Sequence, residues 1–222
     1  MIPLLRYHFT LLLRSHRWLP PGLLYAALLA VGVQSGGPIL DSYGVAAFGL
    51  LPLAAWLCRI CVTNEPPAAR SCAAAAAGPG KAHLACVLTG GLAATFLALV
   101  GTAYVSLVAD PHASDHRTAV PVLAAAGAGL SAALVCVLLG TAVGALCNWP
   151  VLRRTGWSTV SGLLAAVLLL IAGASPANAA VSGLVTGSAD GTITMPWLPL
   201  LAGVLIAATA MAVACRLSSR RS

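Results

Sequence analysis

AVPVLAAAGAGLSAALVCVLLGTAVGALC, residues 119–147, decides the fold. It carries no charge over a stretch longer than the about 20 mainly apolar residues that cross a bilayer core of about 30 Å as a helix. Working outward between charges, five more such runs appear, at about 20–38, 43–62, 82–108, 157–175 and 196–215. The expectation is an all-α membrane protein of six transmembrane helices, and an even count puts both termini on one side. Composition agrees. The 222 residues are 59% hydrophobic and 8% charged, with a mean hydropathy of +0.94, whereas a soluble domain carries about a quarter charged residues. So few charges cannot cover the exterior of a water-soluble chain of this length. All 222 residues read as one transmembrane domain with no separate soluble unit.

A net charge of +7 would suggest a nucleic-acid partner in a soluble protein, but its distribution points to topology instead, and no nucleic acid is expected. With these spans Arg6, Arg14, Arg17, Arg59, Arg70, Lys81, Arg153, Arg154, Arg216, Arg220 and Arg221 share the side of the termini, leaving Arg117 opposite. Asp41, Asp110, Asp115 and Asp190 also fall opposite. Basic loops stay in the cytoplasm, so the N and C termini are expected there.

The first 19 residues begin like a signal peptide, but Arg14, His16 and Arg17 interrupt the leucine run. Arg6, Thr10, Arg14 and Arg17 share one helical face, while Leu5, Phe9, Leu12 and Trp18 line much of the rest. That pattern describes an amphipathic elbow lying in the interface, with Trp18 at headgroup level and Pro20 and Pro21 in the first turn of the next helix. Between the second and third spans, residues 64–77 read as a separate short cytoplasmic helix. Asn64 or Thr63 would cap it, Pro66 and Pro67 would occupy its first turn, Glu65 would complement its dipole, and Gly78-Pro79 would end it. Residues 176–195 contain Pro176, Asn178 and Gly183 in a stretch too apolar for an exposed loop. They are expected to re-enter the membrane from outside as non-helical backbone, the kind of segment that marks a gate.

Ala124, Ala128, Ala132, Cys136, Gly140 and Gly144 recur every four residues in the fourth span, a stripe that admits a close helix neighbour, and Ser158, Gly162 and Ala166 repeat the device in the fifth. Whether the neighbour belongs to the same chain is left open by spacing. Within the spans Arg59 is the nearest ionisable residue, and it reads as snorkelling to the cytoplasmic boundary. Gln34, Thr89, Thr95, Thr102 and Thr141 are the remaining buried polar candidates, so a translocation path would be apolar or hydroxyl-lined and suit an amphipathic cargo. No nucleophile and base share a depth, Gly80-Lys81 lacks the flanking residues of a phosphate loop, and no catalytic site is expected. The Cys58-x-x-Cys61 pair lacks a second pair for zinc, and the other cysteines read as small hydrophobes, so no metal is expected there. His112 and His116, beside Asp110 and Asp115, read as part of a solvated turn, with a metal site as the alternative.

The basic elbow, six spans, a capped helix after the second span and a re-entrant stretch before the sixth resemble the ABC-2 type permeases, the membrane subunits of one class of ABC exporters. The most specific element is the segment from Glu65 through Gly78-Pro79 to Lys81, similar to the family's glutamate, small residues and proline before the third span; the second acid and the Gly-Thr that often accompany the glutamate are missing. The resemblance implies that two permease chains, identical or not, pair around a central path through their first and fifth spans. Each would dock a separate cytoplasmic ATPase that holds Mg-ATP, with Glu65, Pro66, Pro67, Arg70, Arg6, Arg14 and Arg17 carrying the energy coupling and no cofactor on this chain. Low lysine beside abundant alanine and arginine fits a bacterial cell membrane. The alternatives are a six-span substrate-capture subunit of an energy-coupling-factor importer and a non-transporting accessory or immunity protein.

Overall fold

The computed structural model describes residues 1–115, 118–148 and 155–220, without the side chains of 155–157, 159 and 220. Among the described residues the chain is helical: α1 Ile2–Arg14, α2 Leu19–Gly32, α3 Ile39–Asn64, α4 Pro67–Ala77, α5 Pro79–Val108, α6 Val122–Leu146, α7 Thr155–Ile171, α8 Pro176–Asp190 and α9 Trp197–Arg220. Four of these, α3, α5, α6 and α9, are long and apolar enough to cross a membrane, and the bent pair α7–α8 makes a fifth candidate. The fold is that of a multi-pass membrane protein. His116, Arg117, Arg153, Arg154 and Arg221 lie outside the described residues.

α3 is the hub. Its buried residues run from Ile39 to Val62, and it packs most extensively on α6 and then on α5, while α9 covers the other side of α6. The packing also sorts the bundle into two ends. At one, α1, the end of α3, α4, the start of α5 and the end of α9 meet: Asn64 donates to Leu11 O at 3.2 Å, and Ser218 donates to Pro79 O at 3.4 Å. At the other, Asp110 N bonds Gly37 O, and Ser114 bonds both Asp41 and Ser188. We call these the basic and the acidic end.

Two expected segments, the first span and the re-entrant stretch, come out differently. The first stops at Gly32 instead of continuing to residue 38, because Gln34-Ser35-Gly36-Gly37 forms a turn with Gly37 N on Gln34 O at 3.0 Å and Gly36 at φ +83°, a conformation that favours glycine at the third turn position. At 14 residues, α2 spans about 21 Å, short of the hydrocarbon thickness. Gln34 is exposed in that turn and is not a buried polar group. The outer segment is helical, not irregular: Ser175 caps α8 by accepting from Ala177 N, and α8 leaves α7 at 45°. Leu170 O at the break accepts from Asn178 Nδ2 at 2.8 Å. That satisfies a carbonyl which the missing turn would have left bare.

Candidate functional site at the basic end

Glu65 and Pro66 are extended, as the residue before a proline must be, and this break separates α3 from α4. Glu65 is 6% exposed. Its Oε2 lies 3.8 Å from Arg70 Nε, and Arg70 Nη2 donates to Val62 O at 2.6 Å and to Glu65 O at 3.4 Å. The arginine of α4 therefore closes the C-terminal carbonyls of α3, and the two helices are fixed as one corner. Neither Asn64 nor Thr63 caps α4 as the spacing suggests. Pro66 holds the cap position without a side-chain bond, Asn64 is spent on α1, and Thr63 bonds back to Arg59 O. Gly78 ends α4 at φ +90° and leads directly into α5 through Pro79, as expected.

A cavity of about 280 Å³ opens at this corner between α4, α5 and the end of α9, with Glu65, Arg70, His83 and Ser218 in its wall. Burial pushes the Glu65 carboxyl up, against the opposing pull of the Arg70 charge and the Tyr7 hydroxyl. His8, 2% exposed with neither ring nitrogen partnered, is pushed down by burial and by the same Arg70 charge. Tyr7 and His8 are the α1 residues that face the corner. Arg6, Arg14 and Arg17 are exposed, and Arg17 lies beyond α1, past a His16 that takes φ +52°. It therefore does not share the α1 face on which the sequence pattern places it. Nothing local announces His8, since α1 meets the end of α3 across 53 residues of chain. α4 itself buries none of its residues, and Pro66, Pro67 and Ser71 are exposed on it.

The small-residue stripe of α6 faces α3 within the same chain. Ala128, Ala132 and Cys136 are fully buried. A Cβ on Gly140 would collide with Leu51 O and Ala54, and one on Gly144 with Cys58; Ala124 is half-buried at the start of the stripe. On α7, Ser158 and Ala166 are buried, and Gly162 faces Cys147 at an ordinary contact distance of 3.7 Å. These three line a second cavity, of about 360 Å³, between α2, α3, α6 and α7. Arg59 is turned into it. Its Nη1 donates to Ser158 Oγ at 3.1 Å, Ser158 Oγ donates to Asn148 Oδ1 at 2.7 Å, and Asn148 Nδ2 donates to Gly144 O at 2.7 Å. Simple snorkelling to the boundary does not describe this residue. Asn148, absent from the sequence-based candidates, is the hinge of the cluster.

The spans' threonines do not form a wet path. Thr89, Thr95 and Thr102 each donate to the carbonyl four residues back, and Thr141 to that of Leu138. In the outer segment Pro176 begins α8, Asn178 holds the bend, and Gly183 has open space at its Cβ position. At the acidic end His112 Nδ1 pairs with Asp110 Oδ1 at 2.8 Å; among the described residues no three candidate ligands cluster, and His116 lies outside them. Comparison with protein-family models, curated proteins and solved structures finds no match.

Proposed function

We propose that this chain is the permease subunit of a bacterial ABC exporter. It forms half of a translocation path for an amphipathic or hydrophobic cargo, with both termini and α4 in the cytoplasm. The observation that carries the reading is the corner at Glu65 and Arg70. A short helix that buries none of its own residues gains nothing from the core, yet it is held to the end of the hub helix by a buried carboxylate and an arginine bonded to Val62 O. Such a helix suits force transmission, because a push on α4 is delivered to α3 and, through Asn64, to α1. The concentration of Arg6, Arg14, Arg70 and Lys81 at that end supports a cytoplasmic placement by the positive-inside rule. The partners are a separate ATPase holding Mg-ATP and a second permease chain, identical or not, along α2 and α7. This chain has no catalytic role.

Affinity purification of the chain, co-expressed with its neighbouring genes in mild detergent, tests the reading directly. A stoichiometric nucleotide-binding subunit with vanadate-sensitive Mg-ATPase activity is expected. Charge reversal at Arg70 is expected to leave ATP hydrolysis and abolish its link to transport. A chain that purifies alone, with no associated hydrolysis, overturns the proposal.

A further inference from the structure

The cavity between α2, α3, α6 and α7 is polar at one end and apolar at the other, and three helices contribute to that gradient independently. On α3, Pro52, Ala55, Trp56 and Arg59 follow one another along one face. α3 runs toward the basic end, so the cation is the member nearest that end. α6 runs the same way and places Val143 deeper and Asn148 at the end. α7 runs in the opposite direction, and it too has its polar member, Ser158, at the basic end, with Ala166 deeper. Hydrogen bonds join Arg59, Ser158 and Asn148 into one group. Among the described residues, Arg59 supplies the only formal charge in the lining. The rim faces sideways: Leu24 is 62% exposed, Leu163 61% and Trp56 42%, all on helices whose outer surface is apolar.

We propose that this cavity binds one anionic phospholipid from the bilayer leaflet at the basic end, with its phosphate on Arg59 and an acyl chain against Trp56 and Leu163. Depth agrees with charge. Arg59 lies five residues before the end of α3 at Asn64, about 7.5 Å along the axis, where a headgroup phosphate sits while hydrocarbon begins beneath it. A guanidinium presents a planar fork of donors that matches phosphate oxygens. A zwitterionic lipid carries its own ammonium close to the phosphate and so gains less from the added cation. A soluble anion would meet the cation but leave the apolar remainder of the lining uncovered. Under the exporter reading α2 and α7 also face the second chain, and the lipid then lies within that seam; the site itself requires only a membrane around the chain, and a test on this chain purified alone reads it apart from the exporter reading.

Native mass spectrometry of the purified full-length chain, titrated with equal amounts of phosphatidylglycerol and phosphatidylcholine, tests it. The wild-type chain is expected to retain one phosphatidylglycerol with about fivefold preference, the ratio that corresponds to about 1 kcal/mol for one basic side chain at a membrane surface. Arg59→Gln should bring the ratio close to one, and Arg59→Lys should restore part of it. Gly162→Leu, at a position where, among the described residues, the first added carbon meets only Cys147 Cβ at 3.7 Å, places bulk in the cavity and should lower retention of both lipids. Equal retention of the two lipids by the wild-type chain overturns the proposal, as does an unchanged ratio in Arg59→Gln. Full retention in Gly162→Leu would move the lipid to another surface. Displacement of phosphatidylglycerol by millimolar inorganic phosphate would make the occupant a soluble anion and likewise overturn it.

Discussion

The seam between α3 and α6 and the basic end of the same two helices are built from similar residues with opposite results. Along the seam, small side chains bring backbones into contact, and Gly140 sits against the carbonyl of Leu51. At the basic end the helices spread around two cavities, and the buried Glu65 and the half-buried Arg59 and Arg70 stand in their walls. The difference teaches that rigidity and adaptability are segregated along one helix: the middle of α3 is fixed by close packing, and its end is held by a few polar contacts that can exchange.

The sharpest way to break this comparison is Gly140→Ala. The added Cβ would approach Leu51 O and Ala54 Cβ more closely than real Cβ atoms come to such neighbours, and a backbone carbonyl in the hub helix cannot turn aside. Overpacking at such a site should cost about 3 kcal/mol. The unfolding midpoint in mild detergent measures it, and a midpoint equal to wild type would mean that the seam is looser than its geometry.

The next effect belongs to the corner. Arg70→Met leaves the Glu65 carboxylate buried without its cation and bares the Val62 carbonyl, which should cost about 1–2 kcal/mol, discounted for the partial exposure of the arginine. Glu65→Gln should cost less, because burial already disfavours the charged form of this carboxyl. If the order of the two variants is reversed, Glu65 rather than Arg70 organises the break between α3 and α4.

Hydropathy made the long helices legible, since an uncharged run of bilayer length has few other uses. The bounds of α5, α6 and α9 differ from the expected ones by a few residues. The early stop of α2 was also written in the sequence: Gly36, Gly37 and Pro38 are turn residues, and an apolar window outweighed them. The clusters were not legible. Arg59 and Ser158 are 99 residues apart, Asn64 and Leu11 are 53 apart, and no periodicity encodes such meetings. The stripe on α6 showed that a helix would come close, and only packing shows that the helix is α3.

A smaller effect separates the two regions by pH. Between the acid range and its ordinary value of 6.5, His8 stays neutral in the folded chain while its unfolded counterpart takes up a proton. Its contribution to stability is therefore present above pH 6.5 and lost as pH falls through its lowered folded value. The sign for Glu65 is opposite. With its folded value raised above 4.5, its contribution is complete below pH 4.5 and declines as pH rises through the raised value. His8→Leu should flatten the loss of stability on the acid side of 6.5 without altering the seam, and an unchanged pH profile would show that His8 titrates as if exposed.

The smallest effect is the most direct probe of the contrast, because it repeats the first substitution in the open region. Gly162 also lies within a helix stripe of small residues, but among the described residues a Cβ there meets only Cys147 Cβ at 3.7 Å, and the cavity receives it. Alanine is favoured over glycine in a helix interior by about 0.5–1 kcal/mol, so Gly162→Ala should be neutral or slightly stabilising where Gly140→Ala is strongly destabilising. Identical chemistry with opposite signs would establish that the two stripes differ in what faces them and not in sequence pattern. Losses of similar size at both positions would mean that α7 closes onto α6 in the membrane, and the cavity beside Arg59 would then have no room for an occupant.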